Sequence, residues 1–84
     1  MKRMVIGTDG SRKIKEVGIG FEAWNKAIGA SIGQIVPTRD GKYELWVDEE
    51  GLCKGEPEIN YPASILAGQT IVGNVIRFNP GDIT

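Results

Sequence analysis

Arg39-Asp40-Gly41-Lys42 sits between two runs rich in β-branched and aromatic residues, 31–38 and 43–48. Asp-Gly in that setting is a strong hairpin signal, because a two-residue loop of this kind places both central residues at positive φ. With Asp40 and Gly41 as the loop, Arg39 faces Lys42, Thr38 faces Tyr43, Val36 faces Leu45 and Gln34 faces Val47. Side chains alternate along a strand, so this register fixes the faces. One carries Ile32, Val36, Tyr43, Leu45 and Val47; the other carries Ile35, Pro37, Glu44 and Trp46. By count the first is the core face. Pro37 has no N–H to give a ladder, so its strand belongs at a sheet edge.

The remaining elements follow from period and punctuation. Met4-Val5-Ile6 is a short apolar run closed by Gly7 and the turn-forming Asp9-Gly10, as expected of a strand buried on both faces. Residues 11–17 are basic, with Ile14 as the main apolar interruption, and read as an exposed loop. Phe21, Trp24 and Ile28 then fall at helical spacing, and Gly29 supplies a stop. That predicts a helix over 21–28 with Trp24 as a core anchor. Glu49-Glu50-Gly51 reads as a turn, followed by a short strand at Leu52-Cys53. Asn60 is a good N-cap for a helix over 61–67, with Pro62 in the first turn and Gly68 after the last. Residues 70–78 form the last strand, with a bulge at Gly73-Asn74, and 79–82 close it as a turn.

The order strand, helix, strand, strand, helix, strand defines a single α+β domain over 1–84. It suits either a ferredoxin-like antiparallel sheet or a small irregular one with two short helices. Twelve glycines in 84 residues favour tight turns and short elements over long helices.

The central and final segments resemble a family of small bacteriophage and mobile-element proteins catalogued as domain of unknown function 3846. The residues that carry the resemblance are Trp46-Val47-Asp48-Glu49-Glu50-Gly51, the 57–63 region with Asn60 and Ala63, and Ile71-Val72-Gly73-Asn74-Val75. Residues 24–36 resemble the family's helix-then-strand segment, where Gly-Gly-X-Ile/Leu-Glu is usual. Gly29-Ala30-Ser31-Ile32-Gly33 departs from it, with Ala30 at the second glycine and Gly33 where an acid is common. The resemblance implies a phage or mobile-element origin. It implies no activity and no catalytic residues.

The composition narrows the chemistry. There is no histidine, which removes the commonest general base and metal ligand. Cys53 is the only cysteine, so it forms no internal disulfide and reads as a small packing residue of a cytoplasmic protein. Catalytic residues, cofactors and metal ligands are therefore not expected. Asp48, Glu49 and Glu50 lack calcium-loop spacing and read as an acidic turn. Gly18-Ile19-Gly20 leads into the first helix and, with Arg12, Lys13 and Lys15, is the candidate anion site. No apolar run approaches the roughly 20 residues of a membrane helix. Residues 1–8 read as a strand rather than a signal peptide.

Charge is segregated. Residues 1–26 hold six basic against three acidic side chains, and residues 40–58 hold seven acidic against two basic. The basic segment is thin for nucleic acid, and a net charge of −1 does not make a nucleic-acid mimic. The acidic segment is either a solvated hairpin or a surface for a basic partner. Trp46 beside Ile35, framed by Glu44 and Asp48, is an apolar spot if the outer face is uncovered and core if a helix covers it. With Tyr61, Glu49 and Glu50 these are the candidate partner-binding residues.

The leading expectation is thus a non-enzymatic phage accessory protein in the host bacterial cytoplasm. It binds a host protein, in counter-defence or to inhibit host machinery. The alternative is a protein that sequesters a small nucleotide ligand, with a homo-oligomer holding it between subunits.

Overall fold

The computed structural model describes residues 1–53 and 55–83. Five strands form one sheet: β1 Lys2–Ile6, β2 Arg12–Glu16, β3 Gly33–Pro37, β4 Glu44–Asp48 and β5 Val75–Phe78. Their order is β2-β1-β5-β4-β3, and every neighbouring pair is antiparallel. Helix α1, Phe21–Ile28, carries the chain from the β2 edge to the β3 edge, and helix α2, Tyr61–Ala67, joins β4 to β5. A ferredoxin-like sheet would set its first strand between its third and last. Here β1 lies between β2 and β5, so of the two expected sheets the small antiparallel one is present.

Apolar residues alternate along the central strands and feed two separate cores, one on each face. Val5, Trp46, Ile76 and Phe78 pack with Trp24 and Ile28 of α1. Ile6, Leu45, Val47 and Val75 pack with Ala63 of α2 on the other side. The sheet is therefore sandwiched between the helices. Of the face expected to be the whole core, Val36, Leu45 and Val47 are buried, but Ile32 is 49% exposed.

The β3–β4 hairpin has the expected register, with Gln34 opposite Val47 and Val36 opposite Leu45, and β3 is an edge strand. Its loop differs in detail. Only Gly41 has positive φ (71°), and Gly41 N–H donates to Thr38 O at 3.0 Å. Asp40 stays at negative φ because its carboxylate closes the turn, accepting from Thr38 Oγ1 (2.7 Å) and Lys42 N (3.0 Å). These bonds leave the carboxyl below its usual range, chiefly through the Lys42 N–H and then the Thr38 hydroxyl.

Three expectations are corrected. Residues 12–16 are strand β2, not loop; all five are exposed, so no apolar period betrays them. Gly51–Cys53 is a single 3-10 turn rather than a strand, and Cys53 is exposed rather than packed. The final strand is only Val75–Phe78. Gly73, at φ 77°, ends a separate segment in which Val72 bridges Ile59, so it breaks the run instead of bulging it.

Asn60 ties these parts together. Its Oδ1 accepts from Ala63 N at 3.1 Å, capping α2, while its Nδ2 donates to Ile6 O (3.0 Å) and Gly73 O (2.9 Å). Asn60 and Ala63 are both fully buried. Asn60 is thus a buried cap, and Ala63 packs in the core beneath it.

Candidate protein-binding surface

The sequence places Trp46 on a face of the hairpin that is open or covered. It is covered. Trp46 is 5% exposed and lies beneath α1, with its Nε1 donating to Asn25 Oδ1 at 2.9 Å. Trp24 meets it edge-on at 5.4 Å between ring centroids and also touches Phe78 at 4.8 Å. Trp46 is therefore no direct contact for a partner.

Phe21 takes the outer position instead. Its ring stacks on Trp46, centroids 5.2 Å apart and planes within 6° of parallel, and 59% of Phe21 remains exposed. The helical stripe that suggested a buried Phe21 is buried only at Trp24 and Ile28. Phe21 is the first residue of the helix. Two shallow grooves meet at this ring. One runs past Ile19 and Ile83, the other past Ile32 and Ile35. Ile19 is 84% exposed, Ile32 49% and Ile35 42%.

Gly33 borders the second groove, and its missing side chain makes room for the Trp46 ring. A Cβ there would lie 2.3 to 2.5 Å from Trp46 indole atoms, nearer than real carbon contacts approach. Sequence reading marked Gly33 only as a departure from a family pattern. The steric demand of Trp46, its diagonal neighbour across the ladder, explains it.

The other candidate residues divide. Ile35 belongs to the surface. Glu49 and Glu50 are exposed at the turn after β4, near the Ile32 end of β3, where Glu49 N donates to Ile32 O. Asp48 is buried, and its Oδ1 accepts from Glu50 N at 2.9 Å to shape that turn. Glu44 is half-buried and accepts from Gly81 N. Tyr61 is 67% exposed but sits on α2, across the sheet from Phe21, so it belongs to a different surface.

The candidate anion residues are not brought together. Successive β2 side chains alternate, so Lys13 and Lys15 point to one face and Arg12 to the other. Lys13 and Lys15 border a shallow cleft with Asp9 and Asn74, away from Gly18 and Gly20 at the start of α1. Asp9 is held ionised there, its carboxyl lowered mainly by the Ser11 hydroxyl, which opposes an anion. Gly18 O accepts from Trp24 Nε1 at 3.0 Å, a packing role.

Among the described residues no helix is long and apolar enough to cross a membrane. Comparison of the chain with family models, with curated proteins and with solved structures gives no match.

Proposed function

We propose that the protein acts by binding another protein through the α1 side of its sheet, with Ile19, Phe21, Ile32 and Ile35 as the contact surface. One observation carries this reading. Three isoleucines, 42 to 84% exposed, gather around the exposed Phe21 ring, which is seated on buried Trp46. Single exposed apolar residues need no explanation, but a contiguous group with a rigid aromatic anchor is the composition of an interface centre. Glu49 and Glu50 flank one end, so the fitting partner is apolar at its centre and basic at its rim. The family resemblance supplies only a phage context, and within that context the partner proposed is a host protein, bound in counter-defence or to inhibit host machinery.

Affinity capture from bacterial lysate with the tagged chain, repeated with the Ile19→Asp/Phe21→Ser double variant, tests this. A specific protein should be recovered by the parent and bind the variant at least about 10-fold more weakly, as loss of an interface anchor requires. Circular dichroism checks that the variant keeps its fold. Equal recovery by folded variant and parent, or no specific protein with either, would overturn the proposal.

A further inference from the structure

We infer that two copies of the chain pair edge to edge through β3, each laying its Ile35 in the shallow groove that Gly33 and Trp46 of the other border. Thr38 N donates to Tyr43 O and Glu49 N to Ile32 O, so the even-numbered residues of this stretch bond to β4. Antiparallel ladders alternate, and Gly33 and Ile35 therefore turn their N–H and C=O away from β4, along the open edge.

The edge is complementary to itself. A two-fold axis at Gln34 sets Gly33 of each copy opposite Ile35 of the other, and their outward groups exchange four N–H···O bonds. Pro37 falls beyond this ladder, where its missing donor costs nothing. Opposed residues in an antiparallel pair project to the same face, so each Ile35 lies over the other copy's Trp46 edge, between Ile32 and Phe21. A two-fold contact needs the projection and the recess on the same patch, and β3 brings both, with Ile35 two residues from the groove wall at Gly33. Charge agrees with the antiparallel sense. The exposed turn with Arg39 and Lys42 ends β3 at one side, and Glu49 and Glu50 stand at the other. Pairing brings the basic end of each copy to the acidic end of its mate.

This inference goes beyond the partner-binding reading and does not rest on it; the pair covers Ile32, Ile35 and Phe21, so a paired chain offers another protein only the Ile19 side of that surface. In the pair both α1 helices lie on one side of a ten-stranded sheet, with Ile19 away from the seam.

Analytical ultracentrifugation of the purified chain between about 1 and 500 µM, the range in which small interfaces form, should show mass rising from one chain to two. Amide exchange at Ile35, an N–H outside every internal ladder, should slow as concentration rises. Ile35→Pro removes that donor without costing β3 a bond to β4, and it should raise the dimer dissociation constant at least tenfold. Ile35→Lys should do the same should the proline disturb folding. Ile14→Lys on β2 and Ile19→Asp should leave the mass profile unchanged. A monomer throughout this range, or a dimer indifferent to both Ile35 variants, would overturn the inference.

Discussion

The two edges of the sheet are built from the same kind of hairpin and finished in opposite ways. Each hairpin turns on Asp-Gly, with Gly10 at φ 86° beside β2 and Gly41 at φ 71° beside β3. Each aspartate is lowered by hydrogen bonds within its turn. The strands differ. Arg12–Glu16 carries four charges in five residues, and all five are exposed. Gly33–Pro37 carries none, and its inner face rests on Trp46. Charge is a standard way to keep an edge from recruiting a stray strand. β2 is closed by it, while β3 is closed only at Pro37. What separates the charged edge from the uncharged one here is side-chain chemistry laid on a shared backbone design.

That comparison presumes one cooperative unit, and Asn60 tests it with the largest effect. Asn60→Ala removes the cap of α2, worth about 1 kcal/mol, and leaves the buried Ile6 carbonyl and the half-buried Gly73 carbonyl without this donor, at about 1 kcal/mol each. The expected loss is roughly 3 kcal/mol, read from urea unfolding by tryptophan fluorescence. Amide protection should fall in parallel in the β1–β2 and β3–β4 hairpins. Loss confined to β1–β2 would mean that the two edges belong to separately unfolding units.

Next in size is the contrast between the edges themselves. Gly33→Ala would put a methyl within 2.5 Å of the Trp46 ring, so strand or indole must move. Overpacking of this kind costs about 1–3 kcal/mol. Ile14→Ala on the other edge removes a side chain already 59% exposed and should change stability by no more than about 0.5 kcal/mol. Near-equal effects at the two sites would sink the view that β3 is tied to the aromatic core and β2 is not.

These same residues show what could be read from the chain alone. The β3–β4 register was legible because Val36, Leu45 and Val47 alternate and Asp40-Gly41 marks the turn, even though the loop dihedrals differ from those expected. Both helices were legible through their caps, since Asn60, Gly29 and Gly68 have local roles. β2 was not, because a strand that buries neither face carries no apolar period to detect. The candidate surface was half legible. Ile35 lay on the face singled out, but Trp46 and Phe21 exchanged roles. Which aromatic lies inside depends on where α1 crosses the sheet, a long-range fact absent from local spacing. Ile19 left one signal that went unused: a large apolar residue between two glycines just before a helix. Gly33 left none, because its reason is a ring thirteen residues away.

The smallest effect concerns the turn that ends β3 and bears on whether the two Asp-Gly turns are equivalent. Asp40 is lowered in the folded chain because its carboxylate accepts from Lys42 N and Thr38 Oγ1. A carboxyl lowered by folding contributes stability that is fully present above its unfolded value, near 3.8, and is lost as pH falls through the folded value. Asp40→Asn keeps an acceptor but removes the titration. The variant should therefore be less stable than the parent at neutral pH, and the gap should close as pH falls below 3.8 and through the lowered folded value. Asp9 remains in both proteins, so its own titration cancels from the difference. The matching Asp9→Asn comparison should show the same sign, since its carboxylate accepts from Ser11 N at 2.9 Å. Urea midpoints across that pH range decide the matter. A gap at Asp40 that stays constant with pH would show that its carboxylate is not what closes the turn, and that the likeness between the two hairpins stops at their glycines.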